Sequence, residues 1–364
     1  MNTHTESVVI GVSGGVDSAV AAFLLKQNNT YDVQAVFMQN WQDEDDDYCT
    51  AVEDFRDATG VCELLDIPLG SVNFSAEYWK NVFAGFLDEY NAGRTPNPDI
   101  LCNSEIKFKA FLHHARSLGA EKIATGHYVQ TDKATDGKSR LLRGADNNKD
   151  QSYFLHTLNQ EQLAHSVFPV GELQKNDLRK IALDLNLQVH DKKDSTGICF
   201  IGERKFREFL AEYVAASPGN IITHEGDVIG KHEGIAFYTI GQRQGLGIGG
   251  SANYSSDPWY VSDKRVSDNE LIAVQGHDHP ALHKNALRAV KLHWIRETPS
   301  DTYNCTAKTR YRQQDQECTI HFETSTEAVV QFKSSVRAIT PGQSVVFYNG
   351  EECLGGGIIK EALN

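Results

Sequence analysis

The chain has 364 residues, of which 40% are hydrophobic and 23% charged, and its formal net charge is −14. These values are typical of a soluble globular protein with two or three domains. No apolar run reaches the eighteen residues of a membrane span, and no basic region precedes an apolar core at the amino terminus. We therefore expect a cytoplasmic protein without a secretory signal.

The acidic excess weighs against a nucleic-acid partner, because proteins that bind polyanions are usually basic. It is unevenly distributed, however. Residues 43–47 are all acidic, whereas basic side chains gather at Arg140, Arg143 and Lys149 and again in residues 310–312. Local patches rather than net charge decide whether a polyanion docks, so the composition leaves nucleic-acid binding open.

The seven cysteines form no Cys-x-x-Cys pair, which argues against a zinc knuckle, an iron–sulfur cluster and a thioredoxin-like site. We predict no metal site built from them. In a reducing compartment most are expected to be small buried hydrophobic residues. They occupy positions 49, 62, 102, 199, 305, 318 and 353.

Strand and helix patterns alternate over the first 205 residues. Apolar runs predict strands at 7–12, 33–38, 68–74 and 122–125, and helical patterns lie at 17–26, 54–65, 76–90 and 108–118. This alternation predicts an α/β domain with a doubly wound parallel sheet, whose ligands bind beyond the carboxyl ends of the strands.

The segment Ser13-Gly14-Gly15-Val16-Asp17-Ser18 lies between the first predicted strand and the first predicted helix. Two glycines allow backbone N–H groups to approach a ligand, and the helix N-terminus adds unpaired donors with a partial positive charge. This pattern predicts a phosphate site, and a solvent-exposed turn is the alternative. The loop lacks the Gly-Lys-Ser/Thr ending of a Walker A sequence.

Two further positions follow strands and are expected to line the same crevice. They are Met38 and the Gly126-His127 pair. His127 is able to hydrogen-bond a base or phosphate, although a lone histidine at a strand end is more often structural.

Cys102 follows an approach that Pro96 and Pro98 keep extended. We predict Asn103 or Ser104 as a helix N-cap. A cysteine at a helix N-terminus beside a lysine, here Lys107, is expected to have a lowered pKa and more thiolate. The alternative is a buried structural cysteine. Asp99 is a candidate general acid or base, or a turn residue.

Two other segments are chemically suggestive. Cys199 lies between Gly197 and Gly202 and follows two lysines, which suggests a loop that carries a reactive thiol; a structural cysteine is the alternative. Residues 149–154 (KDQSYF) begin a predicted helix after a polar loop, and their simplest interpretation is an exposed capping segment.

The sequence pattern changes after residue 205. Residues 206–282 show short strands with many glycines, and their Gly245–Gly250 match to G-x-G-x-x-G is rejected as a dinucleotide site because no helix follows. Residues 283–364 predict a closed barrel of about six strands. In it, Arg310-Tyr311-Arg312 suits stacking on or clamping a nucleic-acid backbone, although such alternation is also ordinary strand surface.

The motifs also carry a family resemblance. The Ser13–Ser18 loop resembles the SGGxDS pyrophosphate loop of N-type ATP pyrophosphatases. The order of motifs over nearly the whole chain resembles bacterial tRNA-specific 2-thiouridylases, with slight departures at Val12 and Ala19. The matching motifs are SGGVDS, MQNW, TPNPDILCNSEIKF, ATGHY, KDQSYFL, DSTGICFIGER, YTIGQRQGLG and the Arg-Tyr-Arg stretch.

The resemblance implies roles for individual residues. Gly11, Val12, Ser13, Gly14, Gly15, Val16, Asp17 and Ser18, with Met38 and Gly126, would hold ATP, and Mg²⁺ would sit on its phosphates. Asn97, Pro98 and Asp99 would meet the target base, while His127 and Gln343 would be positioned near it. Lys149, Asp150, Gln151, Arg310 and Tyr311 would contact tRNA. Cys199 would carry sulfur as a persulfide, and Cys102 would be its partner thiol.

The implied reaction is ATP-dependent sulfur transfer to C2 of the wobble uridine of tRNAs for Lys, Glu and Gln, with release of AMP and pyrophosphate. A Cys102–Cys199 disulfide would form in each cycle, and a sulfur-donor protein, either a cysteine desulfurase or a relay protein, would reload the enzyme. We expect a monomer with a catalytic domain at 1–205, a central tRNA-binding domain at 206–282 and a barrel at 283–364. The rivals are another ATP-dependent synthetase or amidotransferase built on the same loop, and a non-catalytic tRNA-binding protein.

Overall fold

The computed structural model describes residues 5–41, 51–194, 206–249, 254–299 and 302–364. Within these ranges the strands form three sheets. No helix of the described residues is both long and apolar enough to cross a membrane. The acidic run at 43–47 and the cysteines at 49 and 199 lie outside the described residues. Of the described cysteines, 62, 102, 318 and 353 are buried as expected, and Cys305 is half-buried.

The first 194 residues contain most of the helices. The strands are β1 Glu6–Val12, β2 Tyr31–Gln39, β3 Leu69–Asn73, β4 Lys122–Ala124, β5 Val129–Lys133, β6 Ser139–Arg143 and β7 Ser166–Val167. The helices are α1 Val16–Gln27, α2 Ala51–Leu65, α3 Ser75–Tyr78, α4 Ala84–Asn91, α5 Pro98–Leu101, α6 Phe111–Ser117, α7 Gln160–Ala164 and α8 Lys175–Asp184. Two π-helical segments, Trp79–Phe83 and Cys102–Ala110, join α3 to α4 and α5 to α6, and a 3₁₀ turn spans Ser152–Leu155.

The first sheet has the strand order β3-β2-β1-β4-β7, and all its pairings are parallel. Along β1, Val8 and Ile10 enter the core beneath α1, α2 and α8, whereas Val9 enters the core beneath the other helices. Both faces of the sheet are therefore covered, which confirms the predicted doubly wound α/β fold. Strands are added on one side of β1 up to β3 and on its other side from β4 onward, so the strand order reverses between β1 and β4. Ligands of such sheets bind at this switch point.

The middle region forms a small sheet of its own, preceded by α9 Phe206–Tyr213. Phe209 and Leu210 of α9 pack into the α/β core, where the Phe209 ring lies 5.9 Å from Trp41. The sheet strands are β8 Gly219–Ile222, β9 Val228–His232, β10 Trp259–Arg265 and β11 Glu270–Gln275, in the order β10-β11-β8-β9. Short 3₁₀ turns lie at Ile235–Phe237, Val266–Asp268 and Pro280–Leu282.

The last region closes into a barrel. Strand β12 pairs antiparallel with both β15 and β17, so six strands form a ring, as predicted. They are β12 His283–Trp294, β13 Thr302–Lys308, β14 Gln316–Phe322, β15 Glu327–Arg337, β16 Ser344–Asn349 and β17 Glu352–Leu363. The β5–β6 hairpin of the α/β region, which the sequence pattern did not predict, adds to the edge of β17 through Leu141 and Cys353. This pairing fixes the barrel against the α/β sheet.

Candidate functional site

The loop between β1 and α1 is built around the N-terminus of the helix. Gly15 is the N-cap of α1, and no side chain caps this helix among the described residues. Ser18 shapes the turn: its Oγ accepts from Ser13 N–H at 3.2 Å and donates to the Gly15 carbonyl at 3.0 Å. The first-turn N–H groups of α1 thus stay available, and the helix dipole favours an anion in front of them.

Glycines are required where this loop touches other backbone segments. Gly14 has φ +73°, and a Cβ there would lie 2.3 Å from the carbonyl oxygen of Asp54. A Cβ at Gly126 would lie 2.8 Å from the backbone of Asp17, and one at Gly11 would lie 2.8 Å from the Met38 Cε. The fold therefore brings the predicted Met38 and Gly126 against the predicted loop. The glycines let these segments pack in direct contact, which fixes the loop while the N–H groups of the α1 N-terminus face an anion site.

Asp17 belongs to an ionic network that the sequence analysis missed. Its Oδ1 accepts from Lys175 Nζ at 2.6 Å and from the Tyr128 hydroxyl at 2.7 Å. Lys175 is buried and also reaches Asp194 Oδ1 at 2.8 Å. One sequence signal points to it: Lys175 is the first residue of α8, where a cation is opposed by the helix dipole. A lysine in that position indicates anionic partners from elsewhere in the fold.

Tyr128 also joins the loop to residues 149–151. Gln151 Oε1 accepts from Tyr128 N–H at 2.9 Å, and the Gln151 N–H donates to the Tyr128 carbonyl at 3.0 Å. Lys149 is partly exposed and pairs with Asp194 Oδ2 at 2.5 Å. Burial raises the pKa of Asp194, but hydrogen bonds from Lys149 and Lys175 outweigh it and hold that pKa at about 2.

Asp150 is buried between these two partly exposed neighbours. Its carboxylate accepts from the N–H groups of Gly144 at 3.2 Å and Ser152 at 3.0 Å, and from the Ser152 hydroxyl at 3.0 Å. It also faces the buried Arg143 at 3.5 Å. The 3₁₀ turn begins at Ser152 rather than at Lys149, and Asp150 accepts from the N–H of this first residue. Asp150 therefore holds the backbone of this segment in place from its buried side.

The helix that carries Cys102 begins earlier than predicted. Asn97 is its N-cap, with Oδ1 accepting from Asp99 N–H at 3.1 Å, so the expected cap at Asn103 or Ser104 is wrong. Pro98 explains the early start, since its fixed φ and missing N–H suit the first helical position. Cys102 consequently lies in the second turn, fully buried, where the helix widens into π-helical turns. Asp99 lies in the first turn.

His127 is buried beside this helix. Its Nδ1 lies 2.8 Å from the Thr125 hydroxyl, and its ring centroid is 5.6 Å from that of Phe108. Burial, and secondarily the charge of Lys107, lower the pKa of His127 well below its ordinary value. The side chain is therefore a neutral hydrogen-bonding group near neutral pH.

The barrel and the middle region both hold the approach to Asn97. Gln343 Nε2 donates to the carbonyls of Thr95 at 2.7 Å and Pro96 at 3.4 Å. Lys264 of β10 donates to the Gly93 carbonyl at 2.9 Å, and burial lowers the pKa of Lys264 to about 8. The segment before Asn97-Pro98-Asp99 is thus clamped between regions far apart in sequence, and Lys264 was not singled out from the sequence.

Arg310 and Tyr311 lie in the loop between β13 and β14, not on a strand surface. Burial, and then the charge of Asp150, raise the pKa of Tyr311 to about 12. Its ring packs 4.5 Å from Phe154, whereas Arg310 is exposed. The fold therefore places this barrel loop beside residues 149–154.

Cys199 lies outside the described residues, so its distance from Cys102 is not given by the structure. Among the residues that are described, no group of three His, Cys, Asp or Glu side chains is arranged to hold a metal ion. The arrangement as a whole offers an anion cradle at the α1 N-terminus, with a buried thiol and neutral polar groups on the helix beside it.

Known families match all three regions. A family described as a tRNA methyl transferase HUP domain matches residues 6–203, a tRNA methyl transferase PRC-barrel domain matches 207–275, and an aminomethyltransferase beta-barrel domain matches 284–359. Proteins named tRNA-specific 2-thiouridylase MnmA from Citrobacter koseri and Escherichia coli are each 59% identical over 366 aligned residues, covering 100% of this chain and 99% of theirs. The chain belongs to the tRNA-specific 2-thiouridylase family.

Solved structures match the family fold more distantly. The U34-tRNA thiolase NcsA from Methanococcus maripaludis is 19% identical, with a TM-score of 0.36, over 57% of this chain and 64% of its own. The NMN synthetase from Francisella tularensis is 21% identical, with a TM-score of 0.34, over 57% of this chain and 74% of its own.

Proposed function

We propose that this chain transfers sulfur to C2 of the wobble uridine of tRNA in an ATP-dependent reaction that forms 2-thiouridine, AMP and pyrophosphate. The proposal rests above all on the 59% identity that extends over the whole chain to proteins named tRNA-specific 2-thiouridylase. Of the possible substrates, the tRNAs for Lys, Glu and Gln are those that the family resemblance implies. A persulfide-bearing donor protein supplies the sulfur.

The phosphate loop supports ATP as the activating substrate. Gly14 and Gly126 allow the loop to pack closely against neighbouring backbone, which holds the α1 N-terminus and its N–H donors in place for the phosphates. Lys175 places a buried positive charge beside Asp17 at 2.6 Å. Mg²⁺ usually binds through phosphate oxygens and one or two carboxylates, and Asp17 is the carboxylate that this loop offers. Lys175 and the N–H groups of the α1 N-terminus offset negative charge as pyrophosphate leaves, and Asp17 would hold Mg²⁺ when it is bound.

Activation is chemically necessary because the C2 oxygen of uracil is a poor leaving group. Its attack on the α-phosphorus of ATP releases pyrophosphate and leaves an adenylated base, from which AMP departs readily. The base has to leave its stack to reach such a site. The Asn97-Pro98-Asp99 turn and the neutral His127 offer hydrogen-bonding groups to a neutral ring.

The sulfur step requires two thiols. The Cys102 thiolate attacks Sγ of the Cys199 persulfide, forms a Cys102–Cys199 disulfide and expels hydrosulfide, which displaces AMP from C2. Alternatively, the terminal sulfur attacks C2 first, and Cys102 then breaks the sulfur–sulfur bond. Both routes release one AMP and leave a disulfide that a dithiol reductant must reduce with two electrons.

The decisive experiment measures pyrophosphate release with tRNA that carries a wobble uridine, followed by detection of 2-thiouridine after persulfide loading. We expect release to depend on that tRNA. Pyrophosphate release that is indifferent to tRNA, or that requires ammonia or an amino acid, would support a synthetase instead. Tight tRNA binding without any ATP turnover would support a non-catalytic binding protein.

The two cysteines separate sulfur transfer from the other reactions of this ATP loop. Cys199→Ser and Cys102→Ser are each expected to abolish 2-thiouridine formation, while tRNA affinity stays within about twofold because neither cysteine is a predicted phosphate contact. Thiolation at the wild-type rate by either variant would remove that cysteine from the mechanism.

Asp17→Ala is expected to lose pyrophosphate release, and unchanged release would remove Asp17 from the phosphate site.

A further inference from the structure

Asp194 connects two parts of the site that have separate predicted ligands. Its Oδ1 accepts from Lys175 Nζ at 2.8 Å and from Arg179 at 3.0 Å, and its Oδ2 accepts from Lys149 Nζ at 2.5 Å. Lys175 is at the same time bonded to Asp17 in the phosphate loop. Lys149 is the predicted tRNA contact. A single carboxylate therefore lies between the lysine of the nucleotide side and the lysine of the RNA side.

These contacts differ from an ordinary surface ion pair, whose contribution is small. The Lys175 side chain is only 9% exposed. An ammonium group has three N–H donors, and two of them are directed at Asp17 and Asp194. A buried ammonium group held by two carboxylates has little freedom to reorient, so the position of Asp194 sets the position of Lys175.

The chain leading to Asp194 is itself fixed. Arg179 of α8 donates to the carbonyls of His190 at 2.9 Å and Lys192 at 3.0 Å. Lys192 donates to Asp54 at 2.8 Å, and the backbone of Asp54 is the segment against which Gly14 packs. The backbone that leads to Asp194 and the side chains that bind its carboxylate are therefore both held in place relative to the phosphate loop.

We propose that Asp194 is a positioning residue that couples the nucleotide side of the site to its tRNA side, by holding Lys175 at Asp17 and Lys149 at the RNA surface through one carboxylate. The inference rests on the proposed function, in which Asp17 meets the phosphates and Lys149 meets tRNA. Asp194 itself touches neither ligand. The proposal predicts that ATP and tRNA each raise the affinity for the other through Asp194, and linkage requires the two factors to be equal.

The test measures binding rather than sulfur transfer. Dissociation constants for a non-hydrolysable ATP analogue and for wobble-uridine tRNA are determined separately and each in the presence of the other. Wild type is expected to bind each ligand about tenfold more tightly when the other is present, within the usual range of coupling between sites. Asp194→Asn, which keeps the size of the side chain and removes its charge, is expected to reduce that factor to about one.

Asp191→Asn is the matched control, because this aspartate lies three residues earlier and is exposed. It is expected to keep the wild-type coupling. Asp194→Glu retains the charge and is expected to keep part of the coupling that Asp194→Asn loses. Lys149→Met and Lys175→Met each remove one of the two lysine ion pairs of Asp194, so each is expected to abolish the coupling as well. These variants test the inference even if Asp194→Asn proves too unstable to assay.

The outcomes separate this inference from the proposed function. Wild-type coupling in Asp194→Asn, equal loss in Asp191→Asn, or no coupling in the wild type would overturn the inference, even when tRNA-dependent pyrophosphate release stands. If Asp194 were only structural, Asp194→Asn would lower the midpoint of thermal unfolding. The ratio of each ligand's dissociation constant without the other ligand to that with it would stay unchanged. Loss of coupling in Asp194→Asn at an unchanged unfolding midpoint supports it.

Discussion

The nucleotide side and the base side of the candidate site are built from different chemistry. The nucleotide side is ionic: Asp17, Lys175 and Asp194 form a continuous chain of contacts between 2.6 and 2.8 Å. On the base side, the predicted residues are mostly uncharged, with a buried thiol at Cys102 and a neutral imidazole at His127. The difference suits the proposed ligands, since phosphates require positive charge and a helix dipole, whereas uracil is a neutral ring recognised by hydrogen bonds.

The two sides also differ in how they are held. The phosphate loop is fixed by close backbone packing at Gly14 and Gly126, within the α/β region alone. The chain before Asn97 is fixed by side chains from elsewhere, Gln343 of the barrel and Lys264 of the middle region. Substitutions on the nucleotide side are therefore expected to act on ATP, and those on the barrel side on RNA.

The largest effect is expected from disturbing the backbone contact that holds the phosphate loop. In Gly126→Ala the new Cβ would lie 2.8 Å from the backbone of Asp17 and Ser18, so the loop must move. Because displacements near 1 Å cost about a hundredfold in rate, we expect pyrophosphate release to fall by about that factor. Gly85→Ala, where an added Cβ meets no heavy atom within 4 Å, is the control and is expected to keep the rate. Equal rates in both variants would contradict the role of the Gly126 contact.

The second effect concerns stability rather than affinity. Asp150→Asn removes the charge that faces the buried Arg143 and weakens bonds to Gly144 and Ser152. We expect the free energy of unfolding to fall by about 2–3 kcal/mol, measured by denaturant titration. The control Asp132→Asn breaks an exposed pair with Arg140 and is expected to cost less than about 1 kcal/mol. Comparable losses would mean that Asp150 has no special role in shaping this segment.

A smaller effect is expected on the base side. Gln343→Leu removes the donor that holds the Thr95 and Pro96 carbonyls. Loss of such bonds is expected to weaken tRNA binding about tenfold, with affinity for an ATP analogue unchanged. Gln331→Leu, which removes an exposed barrel amide bonded to Asn285 at 3.1 Å, serves as the control. An equal change in ATP affinity would remove the distinction between the two sides.

The smallest effect concerns the neutral state of His127. Its pKa is depressed in the folded chain, so below the ordinary histidine value near 6.5 the unfolded chain binds an extra proton. Stability is therefore lost as pH falls below that value, by up to about 1.4 kcal/mol per pH unit. Denaturant titrations at pH 6.5 and 5.5 are expected to show a shallower loss in His127→Gln than in wild type. The exposed His321→Gln is the control, and a wild-type slope in His127→Gln would show that His127 is not held neutral.

Much of the α/β region was predictable because its signals are local. The buried run of β1, the two glycines and the Ala-rich α1 are adjacent in the chain, so the loop and its anion preference follow from a dozen residues. The six-stranded barrel was predictable from its length and turn pattern. The start of the Cys102 helix was not predicted correctly, because Asn103 and Ser104 are also residue types that cap helices. Pro98 favours the earlier start, with Asn97 as the cap.

The contacts across the site were beyond local patterns. Lys175 is 158 residues from Asp17, and Gln343 is 248 residues from Thr95. The pairing of the β5–β6 hairpin with β17 likewise joins Cys353 to Leu141. A side chain that finds its partner so far along the chain leaves only a weak trace in sequence, such as a lysine placed against a helix dipole.

By itself, the sequence determined the doubly wound sheet, the closed barrel and the glycine loop between β1 and α1, because strand and helix periodicity and glycine turns act over short distances. The phosphate role of that loop and the thiolation role of the cysteines stay predictions. Only the tertiary structure decided that Lys175 and Asp194 lie beside Asp17, that His127 is neutral, and that Gln343 holds the approach to Asn97. Burial and ion pairing depend on which distant segments pack together, and the fold alone sets that.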